Sequence, residues 1–506
     1  MIKDCLRIAL LHQDVHYGDP ETNLENLLVL CHRAAENEAR IICAPEMCLT
    51  GYVHKNRKSI EALAESTEGP AAKALSSTAV KLGAFIVAGF AEKVEREGIL
   101  YNSAFVFAPD GTLVCRYRKI NAETRWAAPG LPNQYNIFQT PWGGVGLLIC
   151  ADSYHALIPR ITALKGASLI LLPSNWPETD GFPELLWRQR AFENGIWLVA
   201  VNRGGSETEI DFTDAKTQAF NPMGQMAEIV VDSVDNRLRL LDIPLNKQGL
   251  IEDLRKERFE DRCLEFYHRI YGNLSSVRNL TSCLHLPKPG LLDFHAVSPG
   301  DSDLMTVLAK FWPNFRPGSL VLIPQAELKP EVLERLEKMA EDSNLSLVGG
   351  NEGANLQVNY FGLGKNIKKI TVNDGPWSYF EVGPARIALT SLRVLAQPEA
   401  GVALAKDGVD LALCPERDLT QGDLRLISLR PIEQLAVGAC SLNSSQLSLI
   451  PQGHGPGRGA SIGPGQALTY VVDTRETRDK HFQDRVDYET VFGTHAIKSV
   501  WSIDDM

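Results

Sequence analysis

The 506-residue sequence lacks long apolar runs and any excess of basic charge. No stretch approaches the roughly 18 consecutive apolar residues that a membrane-spanning helix needs. The formal net charge of −11 argues against nucleic acid or an anionic membrane as the main partner. The opening MIKDCLRIALLHQD carries charges at Lys3, Asp4 and Arg7 and only a short apolar run, which is not the pattern of a secretory signal. These absences predict a protein that acts on neither nucleic acid nor membranes.

The cysteines are scattered and form no CxxC pair. Of the ten, Cys43 and Cys48 are the only close pair, and no histidine or second cysteine pair stands near them at zinc-site spacing. We therefore expect reduced thiols, a cytoplasmic location and no structural metal.

The bulk composition is that of an ordinary globular protein, with 44% hydrophobic and 22% charged residues. The chain is too long for one core, so we expect two or three domains. Short apolar runs alternate with amphipathic stretches, and a hairpin turns at Pro-Asp-Gly within 101–119. This pattern predicts an α/β fold with helix-covered sheets. The predicted strands are 6–13, 39–46, 84–92, 144–150, 167–174 and 196–203, and the predicted helices are 23–38, 71–81, 156–165, 182–194 and 251–272.

The second half repeats the first in order. LVLIPQAEL matches RIICAPEMCL, RIALTSLR matches GLLICADS, and KDGVDLALCPE matches LKGASLILLPS, with three further matches at similar spacing. We infer two homologous domains, 1–272 and 291–490. A Pro-Lys-Pro-Gly sequence ends the linker 273–290, and 491–506 is a C-terminal tail.

Three polar residues of the first half stand where predicted strands end: Glu46 after IICAP, Lys119 in YRK and Cys150 after GVGLLI. Taken singly they read as a solvated glutamate, a surface lysine and a core cysteine. Side chains at strand ends of α/β sheets converge, and together these three supply a base, a cation and a thiol nucleophile. The combination indicates a cysteine hydrolase.

With the surrounding PEMCLTGY, GFAE, YNSAFVFAPDG, YRKI and GLLICAD, the first half resembles the nitrilase superfamily of carbon–nitrogen hydrolases over nearly all of residues 5–270. The resemblance implies an αββα four-layer sandwich. It also implies Glu46 as general base, Lys119 as stabiliser of the tetrahedral intermediate, Cys150 as nucleophile and the Ala151 amide as an oxyanion donor. No metal or organic cofactor is implied.

The resemblance extends to a second glutamate and to the pocket. In KINAETRWAAPG, Glu123 stands near the family's spacing from Pro-Gly, although the side toward the lysine is shortened, and it would position the amide and assist departure of the amine. The resemblance implies that Asn175 and Trp176 face the substrate pocket. Tyr154 and His155 either line this pocket or pack beside it, and Arg125, Arg160 and Arg203 are open candidates for binding a carboxylate.

The second half departs from this pattern. It has Gln325 at the glutamate position and Thr390, or Ser391 under another gap, at the cysteine position, while Lys369 alone is retained. Glutamine cannot act as the base, and an unactivated hydroxyl is a poor nucleophile. We therefore expect a catalytically inactive copy that forms a pseudo-dimer with the first domain within one chain, and further homo-oligomers stay open.

The predicted activity is hydrolysis of a small amide or N-carbamoyl compound through a cysteine thioester. Ala-Asp follows Cys150 where nitrilases usually carry Trp-Glu, which favours an amide over a nitrile. The alternatives are a nitrile hydrolase with the same chemistry, an N-acyltransferase and a non-catalytic binding protein.

Overall fold

The structure is a computed structural model in which the described residues divide into two compact units, the first ending at Glu260 and the second beginning at Asp261. It describes residues 5–94, 96–131, 134–177, 182–271, 280–351, 357–361, 368–371, 375–451 and 456–478, with backbone alone for those between 350 and 371. The predicted tail 491–506 lies outside these ranges.

A seven-stranded sheet forms the first layer of the first unit. Its three central strands are parallel, a hairpin extends it on one side, and antiparallel strands from the end of the unit close the other. Ile8 and Leu10 are as fully buried as Ala9 on the opposite face, so both faces of the sheet are covered. In spatial order the strands are Val230–Val231, Leu238–Pro244, Cys5–Leu11, Ile41–Cys43, Phe85–Val94, Ile99–Phe107 and Leu113–Arg118.

A five-stranded sheet faces the first one. The Phe85 and Phe138 rings meet between the two sheets, with centroids 5.6 Å apart. Its central strands are parallel and its two outer strands antiparallel. The spatial order is Gln218–Phe220, Trp197–Asn202, Ala167–Ser174, Gly143–Leu147 and Ile137–Thr140.

Helices cover the outer faces of the first unit. Leu27 and Leu75, from two different helices, share one core with Ile42 and Ile86 of the seven-stranded sheet. The Asp19 carboxylate accepts the Thr22 N–H at 3.1 Å and caps the first of these helices, while Gly83, at φ +60°, ends the second. The helices of the unit are Pro20–Glu36, Arg57–Ile60, Pro70–Leu82, Leu157–Leu164, Phe182–Asn194 and Arg255–Phe259, with a 3-10 turn at Cys150–Tyr154.

The second unit has two six-stranded sheets whose apolar faces share one core, in which Phe294 and Leu322 meet Ile387 and Leu413. In spatial order the first sheet contains Lys368–Thr371, Gln357–Phe361, Ser346–Asn351, Leu320–Leu322, Leu291–Ser298 and Gln466–Asp473, and the second contains Ser378–Val382, Ala385–Leu389, Leu411–Pro415, Ala436–Cys440, Ser445–Leu449 and Arg458–Ile462. Its α-helices are Leu280–Cys283, Leu304–Phe311, Pro330–Asp342, Leu392–Leu395, Pro398–Lys406, Gln421–Leu429 and Thr474–Thr477, and its 3-10 helices are Leu264–Tyr271, Trp312–Asn314 and Arg430–Glu433.

The two units share a strand order. In each, three parallel strands are followed by an antiparallel hairpin, and a late strand returns antiparallel beside the first. In each second sheet, two parallel pairings are flanked by antiparallel ones, and the second unit adds one further strand, Arg458–Ile462.

Two predicted elements are wrong. The strand predicted to reach Cys150 ends at Leu147, although the backbone stays extended to Ile149 and turns sharply only at Cys150. The helix predicted over 251–272 is broken: the Cys263 N–H donates to the Tyr267 hydroxyl at 3.1 Å instead of continuing the helical ladder. No helix in the described ranges has the length and apolar character needed to cross a bilayer.

Replacing Gly89 with alanine should destabilise the first unit. A Cβ at this position would lie 2.4 Å from the Met47 nitrogen and 2.7 Å from the Glu46 Cα, so the turn that carries Glu46 would have to move. We expect a loss of about 1–3 kcal/mol, seen in calorimetry as a lower unfolding midpoint for one transition. Gly463→Ala is the matched control, since a Cβ there meets nothing within 4 Å. Equal midpoints for both variants would contradict the close approach at Gly89.

Candidate active site

Glu46, Lys119 and Cys150 meet at the edge where the central parallel strands of both sheets end. Glu46 follows Ile41–Cys43 and Lys119 follows Leu113–Arg118, both from the seven-stranded sheet, while Cys150 follows Gly143–Leu147 of the five-stranded sheet. Their exposed fractions are 0%, 1% and 5%. Three groups with chemical function are thus withdrawn from bulk water in one place.

Glu46 has one oxygen engaged and one free. Its Oε1 accepts hydrogen bonds from Lys119 Nζ and from Asn102 Nδ2, both at 2.7 Å. Its Oε2 is buried and has no hydrogen-bond partner in the described part of the chain. Burial raises the pKa of Glu46, the charge of Lys119 lowers it, and the charge of Glu123 raises it again, so the pKa lies above its ordinary value. Glu46 is therefore built to take up a proton at Oε2.

Glu123 lies on the other side of the lysine. Its Oε1 accepts from Lys119 Nζ at 2.5 Å and from the Tyr52 hydroxyl at 3.1 Å, and its Oε2 accepts from Asn102 Nδ2 at 2.9 Å. Burial raises the pKa of Glu123, but the charge of Lys119 and the hydrogen bonds outweigh it, so the pKa lies below its ordinary value. Glu123 stays an anion while Glu46 exchanges protons.

Lys119 is held between the two carboxylates and keeps its charge. Burial lowers its pKa, but the charges of Glu123 and Glu46 outweigh this and hold the pKa well above its ordinary value. Its backbone N–H donates to the Asn102 carbonyl at 2.8 Å, which fixes the chain where the strand ends. A fixed cation at this position can stabilise an anion formed beside the cysteine.

Cys150 lies at the start of a strained turn. Its φ is +44°, a value that residues other than glycine seldom adopt. Burial raises the pKa of the thiol well above its ordinary value and the charge of Glu46 adds to this, while Lys119 and a backbone hydrogen bond from Asn175 oppose it. The thiol is therefore protonated at rest and needs a base before it can react as a nucleophile.

The residues predicted to line a pocket lie in the turn that starts at Cys150 and directly after the neighbouring strand Ala167–Ser174. Ala151 follows Cys150 in the turn, and His155, 2% exposed, ends it. Asn175 Nδ2 donates to the Glu46 carbonyl at 2.9 Å and so positions the base. The Tyr154 and Trp176 rings pack together with centroids 5.0 Å apart, and Phe182 packs against both.

The three arginines predicted as candidates for binding a carboxylate differ in their burial and in their contacts. Arg203 forms a buried ion pair with Glu207, and Arg160 donates to the Glu193 carbonyl at 2.8 Å. Arg125 is exposed, donates to the His54 carbonyl at 2.6 Å and lies over the Tyr52 ring at 5.7 Å. Only Arg125 of the three therefore combines exposure with a contact to Tyr52, which bonds Glu123.

Sequence reasoning missed Asn102 and Tyr52. Asn102 joins the two glutamates through one amide nitrogen, and its signal was a polar residue in the apolar strand YNSAFVF. The Tyr52 backbone N–H donates to the Glu207 carboxylate at 2.9 Å. A local sequence pattern cannot predict this contact, because the two residues are far apart in the chain. In the described residues no group of three or more His, Cys, Asp or Glu side chains is arranged to hold a metal ion.

Comparison with known proteins finds relatives that are named as nitrilases or amidases. A family model described as carbon-nitrogen hydrolase matches residues 7–230. The chain is 32% identical over 284 residues to a probable nitrilase of Schizosaccharomyces pombe, covering 52% of this chain and 97% of that protein. It is 30% identical over 240 residues to an omega-amidase of Danio rerio, covering 45% and 83%. Among solved structures it is similar to an amidase from Nesterenkonia sp., with 26% identity, a TM-score of 0.41, and 50% and 94% of the two chains covered.

Replacing Glu46 with glutamine should slow alkylation of Cys150. The amide cannot take the thiol proton, so we expect the rate of modification by iodoacetamide to fall about 100-fold, measured by peptide mass mapping. The control is Glu65→Gln, which changes a carboxylate that accepts the Ala71 N–H at 2.9 Å, away from the cysteine. An unchanged rate in Glu46→Gln would show that another group activates the thiol.

Proposed function

The chain belongs to the nitrilase superfamily of carbon–nitrogen hydrolases, and from this we propose that it hydrolyses a small linear amide or N-carbamoyl compound. The observation that carries the proposal is the buried cluster in which a free Glu46 oxygen, the Lys119 cation and the Cys150 thiol lie together. A base, an oxyanion stabiliser and a nucleophile are what acyl transfer through a thioester requires.

The first step forms the carbon–sulfur bond. Glu46 Oε2 takes the proton of the Cys150 thiol as Sγ attacks the amide carbon. The carbonyl oxygen becomes an oxyanion, which Lys119 and the backbone N–H of Ala151 stabilise. Because the resting thiol is neutral, it must lose its proton to react, and the raised pKa of Glu46 makes this carboxylate a stronger base than an ordinary glutamate.

The second step breaks the carbon–nitrogen bond. The oxyanion collapses, the proton held by Glu46 moves to the leaving nitrogen, and ammonia or an amine departs from a thioester on Cys150. Water, deprotonated by Glu46, then attacks the thioester carbon, the carbon–sulfur bond breaks, and Sγ regains its proton as the carboxylic acid leaves. Glu123 keeps Lys119 charged throughout and positions the amide.

The substrate is proposed to be an amide rather than a nitrile. The residues after Cys150 are Ala151 and Asp152 where nitrilases usually have Trp-Glu. The relatives include proteins named nitrilase and omega-amidase, so both chemistries occur among similar chains. Tyr154 and Trp176 are proposed to line the acyl side of the pocket, and Arg125, which is exposed and contacts Tyr52, is proposed to bind a substrate carboxylate.

The second unit is proposed to be an inactive duplicate. Gln325 and Thr390 follow strands at the same topological positions as Glu46 and Cys150. The Thr390 hydroxyl donates to the Pro376 carbonyl at 2.9 Å, and the Ser391 hydroxyl accepts the Val394 N–H at 3.3 Å to cap a helix. Both hydroxyls thus have structural partners, and the side chain of Lys369 lies outside the described part. The shared strand order supports the duplication.

Ammonia release from a panel of aliphatic amides, ω-amides, N-carbamoyl compounds and nitriles tests the function. We expect turnover of at least one amide or carbamoyl class, and a loss of about 10⁴-fold or more in Cys150→Ala, because the nucleophile is gone. Cys283→Ala, at an exposed cysteine, should keep full activity.

Turnover retained in Cys150→Ala would overturn the mechanism. Turnover confined to nitriles would assign the alternative reaction, and acyl products formed only with an added amine would assign an acyltransferase. An unreactive Cys150 with no turnover would indicate a binding protein.

The pH dependence of kcat/KM should follow the ionisation of Glu46. Its ionised form is the base, so kcat/KM should rise with pH through a limb above the ordinary glutamate range. Because the charge of Glu123 raises the pKa of Glu46, Glu123→Gln should move this limb to lower pH and reduce the plateau about 100-fold. A limb that stays in place or moves to higher pH would contradict the coupling of the two carboxylates.

A further inference from the structure

Asp152, two residues after the nucleophile, is fully buried and accepts hydrogen bonds from three separate points of the chain. Its Oδ2 accepts from the Tyr117 hydroxyl at 2.8 Å and from the Ile149 N–H at 3.2 Å, and its Oδ1 accepts from the Asn121 N–H at 2.8 Å. Nothing in the mechanism above uses this carboxylate. A buried carboxylate needs several donors to replace its lost water, and Asp152 takes them from two separate segments of the chain.

The donors flank the reactive residues. Tyr117 and Asn121 stand two positions before and two positions after Lys119, and Ile149 directly precedes Cys150. A further bond, from Asn121 Nδ2 to the Ala151 carbonyl at 3.3 Å, joins the same two segments. The carboxylate therefore lies at the junction between the segment of the cation and the segment of the nucleophile.

The turn at Cys150 needs such a restraint. A left-handed backbone at a non-glycine residue is strained and persists only where surrounding contacts impose it. The Ile149 N–H, bound by Asp152, lies at the point where the chain leaves the strand direction. Burial raises the pKa of Asp152 to about 6, opposed by its hydrogen bonds and by Lys119, so near neutral pH it is a carboxylate that can accept from all three donors.

We propose that Asp152 is a positioning residue, whose carboxylate holds the strained Cys150 turn in register with Lys119. The proposal rests on the proposed function of Cys150 as nucleophile. Asp152 itself meets neither substrate nor thiol. Its loss should therefore change the rate of the chemical step and leave substrate affinity nearly unchanged.

Asp152→Asn is the test substitution, because the amide keeps the shape but replaces one acceptor oxygen with a donor. The Tyr117 hydroxyl can rotate and accept, but either Ile149 or Asn121 then loses its acceptor. We expect kcat to fall about 10- to 100-fold with KM within about twofold, since small displacements of reacting groups have effects of this size. Alkylation of Cys150 by iodoacetamide should slow by a similar factor.

Tyr117→Phe removes one donor and should lower kcat several-fold, less than Asp152→Asn. In the double variant the tyrosine change should add little, because both act through the same contact. The matched control is Asp253→Asn, the same substitution at a carboxylate that accepts from Ser168 Oγ at 2.7 Å, where Ser168 lies near the opposite end of its strand in the five-stranded sheet. Its kcat and alkylation rate should equal those of the parent chain.

Unchanged kcat and alkylation in Asp152→Asn would overturn the proposal, as would a raised KM at constant kcat or effects that multiply in the double variant. If Asp152→Asn fails to fold, Tyr117→Phe decides: parental kcat and alkylation in that variant would overturn the proposal. If the parent chain hydrolyses none of the panel, the proposed function fails, while the alkylation rates still decide the role of Asp152.

Discussion

The site depends on one buried cation shared by two carboxylates. Lys119 is 1% exposed and would lose its charge in this position without Glu46 and Glu123, whose own burial the lysine in turn compensates. Removing Lys119 leaves two buried carboxylates without a cation, whereas removing one glutamate leaves a single buried ion pair. The same arrangement makes the two glutamates differ in how readily they take up a proton, because Glu123 receives three hydrogen bonds and Glu46 keeps one oxygen free. One carboxylate is thereby fixed as an anion and the other becomes the proton carrier.

The fold positions these side chains at strand ends, and two local features help: a close backbone approach at Gly89 and a strained turn at Cys150. The turn of Glu46 passes over Gly89 so closely that no side chain fits between them, and the turn of Cys150 adopts a left-handed backbone. Around them, neutral hydrogen-bonding groups do the positioning: Asn102 joins the two glutamates and Asn175 holds the backbone of Glu46. Rigid sheets fix the segments, and buried polar contacts fix the side chains that the chemistry uses.

Much of the fold of the first unit and of the candidate active site could be predicted from sequence, because strand ends and apolar alternation are local signals. The alternation indicated most strands and helices of the first unit, and the polar residues after strands pointed to Glu46, Lys119 and Cys150, which the structure brings together. The strand Gln218–Phe220 was missed because it has only 3 residues, and Leu238–Pro244 was missed because its partner, Cys5–Leu11, lies at the other end of the unit's sequence. Asn102 and Tyr117 were missed for the same reason, because their roles exist only once separate segments meet.

Infrared titration of the chain with ¹³C-labelled glutamate tests the division between the two carboxylates most directly. Difference spectra against Glu46→Gln and Glu123→Gln assign the carbonyl band of each protonated side chain. On acidification, the Glu46 band should appear above the ordinary glutamate range and the Glu123 band only below it. A Glu123 band that appears first, or two bands that appear together, would contradict the assignment of Glu46 as the proton carrier.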